Sequence, residues 1–170
     1  MGDALEISTF VSNTVGSGAS ASVILPAVLF LVAIFLSFST GTSWGTFAIL
    51  VPIAIAMFPG SENVQMMIIA VSAVLAGAVC GDHISPISDT TVMSSAGAQS
   101  NHINHVTTQM QYAAVVAVVS FIGYIIAGFI HIWWVVLGIS LVLLLIILNV
   151  LRRISNGKEQ CADMQEKKHA

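Results

Sequence analysis

The sequence predicts an all-α polytopic membrane protein with two interrupted membrane segments. Three observations carry that expectation. Hydrophobic residues make up 56% of the 170 residues and charged residues 8%, at a mean hydropathy of +0.94. Between Ile7 and Leu151 the formally charged residues are Glu62, Asp82 and Asp89, and every Lys and Arg lies at or after Arg152. Two long apolar stretches carry their Gly, Ser, Thr and Pro near the middle. A soluble domain covers its surface with about 25% charged residues. The composition therefore excludes an ordinary cytosolic enzyme and a disordered chain. With no basic patch in the body of the chain, nucleic acid is not an expected partner.

Residues 1–22 read as a polar N-terminal segment. They lack a positive region ahead of an apolar core, so no cleavable signal is expected. Ser12, Asn13 and Thr14 fall outside any clear span and are read as incidental. Residues 23–151 form the membrane domain, and residues 152–170 a tail of mixed charge. Cys80 and Cys161 suggest neither a disulfide framework nor a thiolate metal site.

A bilayer span takes roughly 20 apolar residues. Residues 23–58 are too many for one plain span, and STGTSWGT (residues 39–46) interrupts them. Gly41 and Gly45 flank a cluster of hydroxyls there, which predicts the tip of a re-entrant hairpin over close small-residue packing. The loop PGSEN (residues 59–63) has turn residues, with Glu62 on the surface. Residues 64–99 are interrupted by GDHISPISDTT (residues 81–91). Pro86 removes an N–H and disfavours the helical basin for Ser85, so Gly81 and Pro86 predict a broken helix over residues 81–91. Inside hydrocarbon such backbone survives only when buried in protein or lining a wet cavity. Residues 100–108 read as a polar loop with His102 and His105 solvated. Residues 111–151 would span about 60 Å as helix, enough for two spans with a turn near residues 128–131. Trp133 and Trp134 suit an interface, and Arg152 and Arg153 are expected to end the last helix. The positive-inside rule then puts the C-terminal tail in the cytoplasm.

Asp82, His83 and Asp89 lie close together in this break, among Ser85, Ser88, Thr90 and Thr91. Ionisable groups at membrane depth usually face a cavity and bind or relay ions. A hard cation such as Na⁺ takes carboxylate, hydroxyl and carbonyl oxygens, and an unwound segment frees carbonyls. A carboxylate that holds either a proton or Na⁺, never both, suffices for exchange. Asp89 is the first candidate to hold Na⁺, with Asp82 beside it. Thr40, Thr42, Ser43 and Thr46 line the expected hairpin tip, which would complete the same cavity. His83 is read evenly as a proton carrier or a packing residue, and the spacing matches no strong zinc signature. Two aspartates around one proline suit no protease arrangement, and Ser43 with His83 lacks a nucleophile motif. No catalytic residues and no cofactor are expected.

The strings FSTGTSWGTFAILVPIAI (residues 38–55) and GDHISPISDTT, the latter continued by VMSSAGAQSNHINHVTTQMQYA (residues 92–113), resemble the C-terminal half of NhaC-type Na⁺/H⁺ antiporters. The resemblance implies cation/proton exchange across a bacterial inner membrane. It also implies a fold of two inverted repeats, each with a re-entrant hairpin and a broken helix. Members of that family are much longer, so the chain is expected to be one repeat, a C-terminal half or fragment. Its partners would be lipid and either the N-terminal half or a second copy. The family also contains exchangers of small organic acids of the malate/lactate type, which stay open as the alternative. An inactive truncated remnant is the remaining one.

Overall fold

Six helices follow one another in a computed structural model that describes residues 19–58, 64–130 and 133–169. They are α1 (Ala19–Thr40), α2 (Ser43–Met57), α3 (Val64–Ile84), α4 (Asp89–Gly97), α5 (His102–Phe129) and α6 (Trp133–His169). Windows in α1, α3 and α5 are long and apolar enough to cross a membrane: Val23–Thr40, Val64–Ile84 and His102–Phe129. Ser43–Met57 and Trp134–Val150 are shorter apolar helices. The chain is a membrane protein. The readings of Glu62 and residues 12–14 fall outside the described residues.

Close backbone contact sets the packing of α1 on α3. Gly77 sits against the Phe30 carbonyl and Gly81 against the Ile34 carbonyl, and Ser85 Oγ donates to Phe38 O at 2.8 Å. The partners advance together along both chains, so α1 and α3 run parallel. The contact continues where Ser37 Oγ donates to Ala78 O at 2.6 Å. Helix α2 returns alongside this pair. Its start lies at the end of α3, where Ser43 meets Asp82, and Leu50, Ala54 and Phe58 join Leu25, Leu29, Ala70 and Val74 in the apolar core. Helix α5 runs antiparallel to α1, with Gly128 against Val23 and the Tyr124 ring tilted against that of Phe30 at 5.2 Å between centroids.

Both interruptions are narrower than the sequence suggests. The first is confined to Gly41 and Thr42, because Ser39 and Thr40 close α1 while Ser43 and Thr46 open α2. Ser39, Thr40 and Thr46 stay helical by donating to carbonyls four residues back. The second break spans residues 85–88. Gly81 is no part of it: it lies within α3, buried, where the missing side chain admits α1. Pro86 lies in the break as expected.

Two further expectations are corrected. Residues 102–108 are helical rather than loop, because the Asn101 side chain caps α5 by accepting from Asn104 N at 3.2 Å. Thr107 and Thr108 then return their hydroxyls to Ile103 O and Asn104 O. Arg152 and Arg153 do not end α6, which continues to His169. A helix leaving the bilayer has no physical need to stop, and the Lys, Glu and Gln of the tail favour helix.

Candidate functional site

The turn between α1 and α2 touches the break between α3 and α4. Gly41 has φ +69°, in the left-handed region. A Cβ there would also lie 2.9 Å from both the Ile87 side chain and the Ile87 carbonyl oxygen. Glycine is required twice over, for the turn and for the approach. Thr42 then caps α2 by accepting from Gly45 N. This geometry brings the first turn of α2 over the last turn of α3.

There Ser43 Oγ donates to Asp82 Oδ2 at 3.2 Å. Asp82 is 8% exposed, and its Oδ1 is buried with no hydrogen-bond partner among the described residues. Its backbone carbonyl accepts from Ser85 N at 3.1 Å, which ties the carboxylate to the break. A buried carboxylate oxygen with no donor is costly as a bare anion. A hard cation would give that oxygen a partner. Such a cation takes carboxylate and hydroxyl oxygens, which Asp82 and Ser43 bring together here.

The remaining expected residues divide by what they touch. Ser85 gives its hydroxyl to Phe38 O, and Thr91 gives its hydroxyl to His83 O at 3.3 Å, bridging the break from α4. Ser88 and Thr90 pair with each other at 2.8 Å. Thr40 and Thr46 are committed to their own helices, and Thr42 to its cap. Of these hydroxyls, only that of Ser43 bonds the Asp82 carboxylate. Asp89, the first choice for Na⁺ on sequence grounds, is exposed at the first position of α4. An acidic residue there is favoured by the helix dipole. His83 is exposed, its Nδ1 3.3 Å from Val79 O of its own helix. Ser43 and His83 therefore form no nucleophile–base pair. Among the described residues, no three His, Cys, Asp or Glu side chains gather into a metal-holding group. An apolar cavity of about 730 Å³ among α3, α5 and α6, lined by Ile69, Val119, Tyr124 and Leu141, is separate from Asp82.

Sequence reasoning missed His102 and His105. Both are partly buried rather than solvated. His102 Nε2 lies 2.8 Å from Pro86 O and its Nδ1 3.0 Å from Ser95 Oγ, while His105 Nε2 lies 3.3 Å from Ser94 Oγ. The available signal was Asn101: a capping residue there starts a helix and places both rings on its first turn.

A family model described as the Na⁺/H⁺ antiporter family matches residues 1–129. The chain belongs to the Na⁺/H⁺ antiporter family. That match contains both interruptions and Asp82, and it agrees with the resemblance carried by residues 38–55 and 81–113. An uncharacterised protein of Haemophilus influenzae is 57% identical over 105 residues, covering 62% of this chain and 20% of that protein. The malate-2H⁺/Na⁺-lactate antiporter of Bacillus subtilis is 32% identical over 111 residues, covering 65% of this chain and 23% of that protein. The chain thus spans about a fifth to a quarter of the length of these relatives. No solved structure matches the chain.

Proposed function

We propose that the chain forms one side of the ion-exchange site of a secondary transporter, which trades Na⁺ for H⁺ across a bacterial inner membrane. The observation that carries this reading is the buried, half-satisfied carboxylate of Asp82 beside Ser43, at the junction of a helical hairpin and a broken helix. Asp82 holds a proton in one state and Na⁺ in the other. Ser43 Oγ and carbonyls of the break complete the shell around the ion. Asp89 is the second carboxylate of the site, on its exposed side. In this reading α1 and α2 are the re-entrant hairpin, α3 and α4 the broken helix, and the whole chain one of two inverted repeats. The opposite half of the pocket comes from an N-terminal half or a second copy. The tail after Arg152 lies in the cytoplasm.

The test is Na⁺-dependent proton release from vesicles containing the assembled transporter. Asp82→Asn keeps the shape but takes neither ion as wild type does, so release should stop. Wild-type rates in that variant, at equal expression, overturn the assignment.

The Bacillus subtilis relative supports a second reading, exchange of a small organic acid coupled to Na⁺ and H⁺. Residues 19–150 contain no Lys or Arg, so an anion here would depend on helix N-termini and hydroxyls. Counterflow of labelled malate decides between the two: uptake driven by internal malate favours the acid, and its absence alongside Na⁺-driven proton release favours the ion exchanger.

A further inference from the structure

The unwound residues 85–88 are held from two sides. On one side Ser85 Oγ donates to Phe38 O of α1 at 2.8 Å. On the other, the His102 ring of α5 reaches Pro86 O at 2.8 Å through Nε2 and Ser95 Oγ at 3.0 Å through Nδ1. A carbonyl only accepts, so Nε2 carries a hydrogen and donates it to Pro86. Nδ1 then accepts from the Ser95 hydroxyl, and Ser95 is 3% exposed on α4, so the far end of the ring is fixed there. A ring engaged at both nitrogens cannot turn without losing a bond.

The Pro86 carbonyl lies outside both helices. Its neighbour Ser85 donates its N–H to Asp82 O, and its neighbour Ile87 packs on Gly41, two residues before Ser43. A displacement of Pro86 therefore reaches both the carboxylate and the hydroxyl of the ion site. We infer that His102 is a positioning residue: its Nε2–H holds the unwound segment in place and so sets the affinity of the Asp82 site for its cation. This deepens the exchange reading above and rests on it for the identity of the cation. His105 makes the longer, 3.3 Å contact to Ser94, which lies within α4 rather than in the break, and has no comparable role.

The experiment uses the intact transporter in proteoliposomes, in two parents: one that keeps Ile87, for transport, and one with Cys80→Ser, Cys161→Ser and Ile87→Cys as a reporter thiol in the break, for modification. Two quantities are read: the apparent KM for Na⁺ in proton release, and the rate at which a maleimide modifies the reporter. His102→Leu should raise the KM at least fivefold with the maximal rate changed less than twofold, and should speed modification at least threefold. His102→Gln, whose amide nitrogen can replace Nε2 as donor, should restore both to within twofold of the parent. His102→Asn, which reaches only as far as Nδ1, should behave like His102→Leu and serves if that variant does not fold. His105→Gln should change neither quantity. If Leu, Asn and Gln at position 102 all match the parent, or if Gln is as damaged as Leu, the positioning role is overturned. If the parent releases no protons on adding Na⁺, the exchange reading fails instead. The modification rates alone then decide whether His102 holds the segment.

Discussion

Asp82 and Asp89 are indistinguishable as letters in the sequence, seven positions apart around one proline. Burial separates them: Asp82 is enclosed beneath Ser43, while Asp89 is exposed at a helix start. Asp89→Asn should therefore cost less than tenfold in the rate of Na⁺-dependent proton release, where Asp82→Asn abolishes it. Equal losses in vesicle assays would return Asp89 to the leading place. A hydrogen bond to a charged group contributes about 1.5–3 kcal/mol, and about 1.4 kcal/mol is tenfold in affinity. Ser43→Ala should accordingly raise the apparent KM for Na⁺ by about tenfold or more, and an unchanged KM would remove Ser43 from the shell. The residue types of the site were legible because charge and hydroxyls stand out in a body with three charges. Their assignments were not, since most of those hydroxyls serve neighbouring carbonyls, a partition that depends on side-chain direction.

At the scale of elements, both interruptions were legible, and their extents were not. Ser, Thr and Gly read as breakers, yet hydroxyls bonded back four residues keep Ser39, Thr40 and Thr46 helical. Ala73, Gly77 and Gly81 recur every fourth position in an apolar run, which is the signature of a helix approached closely by another. Reading Gly81 with Pro86 as one break overlooked that spacing. Gly41→Ala should destabilise the protein by roughly 1–2 kcal/mol from the left-handed turn alone, with a further cost from its contact with Ile87. Gly81→Val should cost at least as much by forcing α3 off α1. Thermal unfolding in detergent checks both; a melting temperature unchanged by Gly81→Val would show that the parallel pair is not packed this tightly. Gly97→Ala is the control, since a Cβ there meets nothing within 4 Å.

For the molecule as a whole, class was legible because an apolar body without basic residues can be covered by lipid and not by water, and family was legible through the strings at residues 38–55 and 81–113. The course of α6 was the least legible. Its charged end looked like a stop signal, and the helix passes through it. The proposed orientation is checked with Cys161. A membrane-impermeant maleimide should modify it in inside-out vesicles and leave it untouched in intact cells; modification in intact cells would invert the topology. The glycine seam between α1 and α3 has a mechanical meaning. A slip of α3 by one helical turn, about 5.4 Å, would bring Ala73 opposite the Phe30 carbonyl or Ser85 opposite the Ile34 carbonyl. Either shift drives a side chain into backbone that now meets none. The two helices are thus locked against sliding. They form a single girder, and in the exchange proposed above any movement that opens the site to one side of the bilayer must swing that girder bodily against its surroundings.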